Sequence, residues 1–134
     1  MLENNIKLCD MSTPSLAYLG DCVLERLVRE RLTLSGISSS KNLNKEALKY
    51  VSAPSQAAAM KNIIDRLTEE EAGYFRRGRN IGHTNTPRNA TVSEYRTATG
   101  MEALFGFLHL SDRKDRAREL FALAYPIEKE NGDT

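Results

Sequence analysis

Apolar residues recur along the chain at helical intervals, and short polar joints interrupt them. Leu16, Leu19, Val23, Leu27 and Leu32, with Gly20 and Leu24 beside them, fall on one stripe of a helical wheel. Ser12-Thr13-Pro14 provides its start, a hydroxyl cap followed by proline near the first turn, and Ser35-Gly36 its end. A short helix is expected over 42–51. Ser52-Ala53-Pro54 then opens an alanine-rich helix through Met60, Ile63, Ile64 and Leu67. Thr68-Glu69-Glu70-Glu71 opens another, its acids placed where the helix macrodipole favours them, and this one reaches about Arg79. Residues 80–91 form the one long loop. Ser93-Glu94 begins a helix that runs to Leu110, and Ser111-Asp112 is expected to cap a last helix whose Ala117, Leu120, Phe121 and Ala124 pack inward. No segment alternates as a strand would. The expected fold is all-α, a helical bundle in a single domain over 1–134, with flexible ends at 1–10 and 127–134.

Composition adds little beyond class. A hydrophobic share of 40% and a charged share of 28% are those of an ordinary globular domain, and 134 residues suffice to bury a core without staples. Cys9 and Cys22 have neither metal-ligand spacing nor a disulfide framework, and Cys22 is expected to be a small buried hydrophobe. No apolar run is long enough to span a bilayer, and the first residues do not read as a signal peptide. A cytoplasmic setting with no membrane partner is expected.

Charge is more informative. The formal net charge is only +1, yet Arg76, Arg77, Arg79, Arg88 and Arg96 face Glu94 as the single acid between residues 76 and 96. Arginine concentrated on a mildly acidic body suggests a docking surface for phosphate, and a solvated loop without a partner is the plainer alternative.

Two helical segments combine a carboxylate with interior glycine. One holds Gly20-Asp21, the other Gly100, Glu102 and Gly106. Glycine inside a helix is about 1 kcal/mol less favourable than alanine, so these positions suggest close backbone approach. At such a crossing Asp21 and Glu102 would converge as two oxygen ligands for a hard cation. Spacing alone leaves other roles open. Asp21 could cap a neighbouring segment, and Glu102 could pair with Arg96. Glu25 is expected to pair with Arg29 one turn on. His109 shares a mostly polar helix face with Tyr95, Thr99, Glu102 and Gly106, and a structural role is expected for it.

The segment Tyr18-Leu19-Gly20-Asp21-Cys22-Val23-Leu24 resembles the signature helix of the ribonuclease III family, and Glu102-Ala103-Leu104-Phe105-Gly106 resembles that family's second acidic helix. Both motifs come in the family's order. The chain's length without an appended double-stranded-RNA-binding domain, with Arg76-Arg77-Gly78-Arg79-Asn80 and Tyr95-Arg96, is similar to the compact branch called Mini-ribonuclease III. The likeness extends from about residue 11 to residue 126.

This resemblance implies a homodimeric, divalent-metal-dependent endonuclease that hydrolyses phosphodiester bonds of double-stranded RNA. The compact branch further implies precursor 23S ribosomal RNA as substrate, with a ribosomal protein as a candidate for presenting it. Asp21 and Glu102 match the catalytic and metal-ligating acids, for magnesium or, in its place, manganese. Arg76, Arg77, Arg79, Asn80, His83, Arg88 and Arg96 are the candidate RNA contacts, and Thr99 and Tyr95 candidate supports around the metal. The helix over 15–32 is the implied dimer interface. The chain departs from the usual family pattern twice: Ala17 stands where the family has glutamate, and Thr99 where it has aspartate. These losses support the main rival, a non-catalytic RNA- or ribosome-binding module on the same fold. A helical domain binding an acidic protein is a further alternative.

Overall fold

A computed structural model describes residues 7–81 and 89–127. Six α-helices occur among the described residues: α1 (Thr13–Leu34), α2 (Ser40–Val51), α3 (Ala53–Ile63), α4 (Glu69–Arg79), α5 (Val92–Leu110) and α6 (Lys114–Ala124). No strand is found there, so the all-α expectation holds. The expected single domain over 1–134, with its loose ends at 1–10 and 127–134, lies in part outside the described residues. Of the expected loose N-terminal end, Leu8–Asp10 form a short 3-10 turn, with Leu8 against the core.

Local chemistry sets most helix boundaries. The side chains of Ser12, Ser39 and Ser52 accept backbone N–H bonds at the starts of α1, α2 and α3. Thr68 with Glu71, and Thr91 with Glu94, form complete capping boxes at α4 and α5. Thr91 rather than Ser93 therefore begins α5. The helix expected to run through Leu67 instead ends at Ile63 and continues as a 3-10 turn over Ile64–Arg66. The Ser111-Asp112 expectation is also corrected. Asp112 adopts a left-handed φ of 58°, and the Arg113 N–H reaches back to the Leu108 carbonyl at 2.9 Å, so this pair terminates α5. Arg113 takes the cap position of α6 with no side-chain bond.

The core forms around α5. Every residue of it from Ala98 to Leu108 except Glu102 is buried, with α1, α3, α4 and α6 packed around it. The polar face expected for Thr99, Glu102 and Gly106 is thus an interface between helices, because neighbours cover α5 on nearly all sides. In α1 the buried row is Leu16, Ala17, Gly20, Leu24, Val28 and Leu32, displaced from the expected stripe. Leu19, Val23 and Leu27 are only partly buried, Tyr18 is 86% exposed and Cys22 is exposed. The expectation of a buried Cys22 is therefore overturned: it is exposed, off the buried row of α1, and lines a cleft with His109 and Lys114.

Two polar ties hold the periphery. Arg116 on α6 forks onto Glu71 with two bonds of 2.9 Å, joining α6 to the start of α4. Burial pushes the Glu71 carboxyl up, but bonds from Arg116 and the Thr68 N–H outweigh it and hold it below the usual range. Arg31 donates to the Tyr125 carbonyl with its guanidinium over the Phe121 ring, and the Tyr125 hydroxyl donates to the Tyr50 carbonyl at 2.9 Å.

Candidate active site

The site begins with missing side chains. A Cβ added to Gly20 would lie 1.6 Å from the Glu102 carbonyl oxygen, and one added to Gly106 would lie 2.1 Å from the Leu16 carbonyl oxygen. Helices α1 and α5 therefore cross backbone to backbone, which only glycine at both positions permits. Asp21 follows Gly20 directly, so its carboxylate emerges at the rim of the crossing, exposed to solvent, while Glu102 sits half-buried within it.

The two acids interact. Burial, followed by the charge of Asp21 and a hydrogen bond to it, pushes the Glu102 carboxyl up to about 8. A protonated Glu102 donates to Asp21. Among the described residues no ion pair includes either acid, so Glu102 does not pair with Arg96. Asp21 lies within α1 and caps no helix. Two carboxyl groups that crowd one another, one partly out of water and with no basic partner, are chemically suited to a hard divalent cation, and the all-oxygen donor set fits magnesium or manganese.

One turn before each acid the chain carries Ala17 and Thr99, 7% and 8% exposed. The Thr99 hydroxyl donates to the Tyr95 carbonyl at 3.1 Å. Glu25, one turn after Asp21, accepts from Arg29 at 2.9 Å, as its spacing suggested. His109 is half-buried at the end of α5, in a cleft of about 310 Å³ with Cys22 and Lys114.

The arginines divide into groups. Arg76, Arg79, Asn80 and Arg96 are exposed. Arg77 instead folds back: its guanidinium donates to Thr13 Oγ1 at 3.1 Å and the Met11 carbonyl at 2.8 Å, and lies 5.0 Å from the Tyr74 ring centre. It holds the entry to α1, and in this arrangement it is not a free phosphate contact. His83 and Arg88 lie outside the described residues. Glu94, the lone acid of this stretch, is engaged in the α5 capping box.

Sequence reasoning read the arginines of the 76–80 string but not its glycine. A Cβ on Gly78 would lie 2.7 Å from the Gly100 Cα and 2.8 Å from the Thr99 carbonyl. This second glycine crossing brings the last turn of α4, with Arg76 and Arg79, against the turn of α5 that precedes Glu102. The signal was a glycine among arginines late in a helix, a position that helix propensity alone disfavours.

Comparison with known proteins agrees with this geometry. The model of the ribonuclease III domain family matches residues 14–113. The chain is 42% identical to the Mini-ribonuclease 3 of Symbiobacterium thermophilum over 82% of its own length and 85% of that protein. It is 38% identical to the Mini-ribonuclease 3 of Staphylococcus aureus, with 88% of each chain covered. A crystal structure of a Fusobacterium nucleatum protein superimposes with a TM-score of 0.75 at 33% identity, covering 84% of this chain and 89% of that one. The chain belongs to the ribonuclease III family of endoribonucleases, in its Mini-ribonuclease 3 branch.

Proposed function

We propose that the protein is a magnesium-dependent endoribonuclease that cuts double-stranded RNA, with Asp21 and Glu102 at its catalytic centre. The observation that carries this reading is the approach of the two carboxyls at the Gly20–Gly106 crossing, with no ion pair to either among the described residues. Asp21, exposed at the rim, meets the substrate side, and Glu102 presents its carboxylate from within the interface. When bound there, a divalent ion supplies charge neutralisation for the scissile phosphate and lowers the pKa of the attacking water. The protein's part is to hold the two acids in register, which the glycine crossing does through rigid helices rather than loops.

Arg76, Arg79 and Arg96 are exposed guanidiniums near this centre, suited to fork onto phosphate oxygens. A-form RNA offers phosphates and 2′-hydroxyls across a wide, shallow minor groove, so recognition would be mainly of shape. The flank of α1 on which Tyr18 and Cys22 are exposed beside partly buried Leu19, Val23 and Leu27 is apolar enough to bury against a second copy. A homodimer formed there would carry two centres, one for each strand. The likeness to the compact branch supports precursor 23S ribosomal RNA as natural substrate. Two free, exposed thiols agree with a reducing, cytoplasmic setting. Among the described residues no helix is long and apolar enough to cross a membrane.

The test is cleavage of an end-labelled RNA duplex in magnesium and in EDTA, by wild type and Asp21→Asn. Discrete products that require magnesium and vanish in the variant are expected. Equal duplex binding by both proteins without any cut would leave an RNA-binding module instead.

A further inference from the structure

Phosphodiester hydrolysis can use one divalent cation or a pair about 4 Å apart, and a pair needs more anionic oxygen than two carboxylates readily give. On a helix, the positions that could add oxygen beside Asp21 or Glu102 lie three or four residues away. Toward the N-termini these are Ala17 and the exposed Tyr18 before Asp21, and Ala98 and Thr99 before Glu102; none is a carboxylate, and Ala17, Ala98 and Thr99 are buried. Ala17 offers a methyl group. The Thr99 hydroxyl has its proton committed to the Tyr95 carbonyl and brings no charge to offset a second dication. Toward the C-termini, Glu25 is held by Arg29 and residue 106 is the crossing glycine. Among the described residues no three His, Cys, Asp or Glu side chains form a group able to hold a metal.

We infer that each chain holds a single divalent cation, at Asp21 and Glu102, and that Ala17 and Thr99 set this count by supplying no carboxylate oxygen for a second ion. The inference rests on the metal-dependent reading above and narrows it. The bond-breaking step here has only one ion's neutralising charge from the protein's own ligands. The exposed arginines then carry a larger share of the phosphate charge than they would beside a full set of acids.

The test counts Mn²⁺ bound to the full chain without RNA, by electron paramagnetic resonance, with magnesium competition to confirm the site. One Mn²⁺ per chain is expected for wild type, none for Asp21→Asn, and two for Ala17→Glu/Thr99→Asp. Thr99→Asp alone is the smaller change and guards against misfolding of the double variant. Circular dichroism and thermal melting establish that each variant is folded. Two Mn²⁺ in wild type, both lost in Asp21→Asn, would overturn the inference while leaving the nuclease reading intact. No bound Mn²⁺ in wild type would remove the metal-dependent reading and the inference with it. A count of one in folded Thr99→Asp and in the folded double variant would show that positions 17 and 99 do not set the number.

Discussion

Gly20 of α1 lies so close to Glu102 of α5 that the smallest side chain at position 20 would lie 1.6 Å from the Glu102 carbonyl oxygen. The contact is with main chain, which cannot rotate aside. Gly20→Ala must therefore push α1 off α5 and separate Asp21 from Glu102. A loss of about 3 kcal/mol of stability is expected, with loss of cleavage in whatever fraction stays folded. Gly73 is the control. It also lies inside a helix, but a Cβ there meets nothing within 4 Å, so Gly73→Ala should stabilise by about 0.5–1 kcal/mol. Denaturant titration of the two variants against wild type measures both.

The raised Glu102 carboxyl predicts a pH dependence of definite sign. Its value rises from 4.5 in the unfolded chain to about 8 in the metal-free fold, so between these the folded state binds the extra proton. The contribution of Glu102 to the stability of the metal-free protein should be fullest below 4.5 and fall as pH rises toward 8, by an amount on the order of 3 kcal/mol. Glu102→Gln should flatten that slope. Glu71, whose carboxyl is held low, acts in the opposite sense: its contribution is present above 4.5 and lost as pH falls below it, outside this window. Magnesium added at pH 7 should displace the Glu102 proton, read by calorimetry in buffers of different ionisation enthalpy. Metal binding with no proton release would remove Glu102 from the ligand set.

Arg77 and its neighbours should separate cleanly by substitution. Arg76→Ala, Arg79→Ala and Arg96→Ala should weaken duplex binding and each lower the salt slope by about one, with little change in melting temperature. Arg77→Ala removes bonds to Thr13 and the Met11 carbonyl, so about 1–2 kcal/mol of stability should go with it. Its effect on the salt slope should be small. Filter binding at several salt concentrations, paired with thermal melts, distinguishes the two behaviours.

Much of this was legible in the residues, for physical reasons. Caps such as Ser12 and Thr68 are local chemistry, visible in a few consecutive residues. The glycine–carboxylate pairs signalled the crossing, because glycine within a helix costs stability unless a backbone needs the space. What escaped depends on relations between distant segments. Periodicity located an apolar stripe on α1 but not which half of it faces α5, and so Cys22 was expected inside. Arg77 looks like any other arginine of its cluster until Met11 and Thr13 are brought beside it. The glycines of α5 signalled one close neighbour, but nothing within that helix says that α3, α4 and α6 also cover it.

The exposed flank of α1 around Cys22 gives the last prediction. Cys22 is exposed within the chain, and beside it lie the partly buried Leu19 and Val23 and the 86% exposed Tyr18. A charged residue at 22 therefore meets water in a monomer and disturbs no core contact, so Cys22→Arg should melt close to wild type if the protein acts as a monomer. In a homodimer formed through this flank, the same substitution would bury charge without a partner and split the assembly. Sedimentation velocity should then show wild type at twice the chain mass of 15.0 kDa and the variant at one. Double-strand cleavage should decay into slow, single-strand nicking, since each freed chain keeps one pair of carboxylates and half of the arginine surface. A wild type that sediments as a monomer, with Cys22→Arg fully active, would place both strand cuts within a single chain and assign the α1 flank another role.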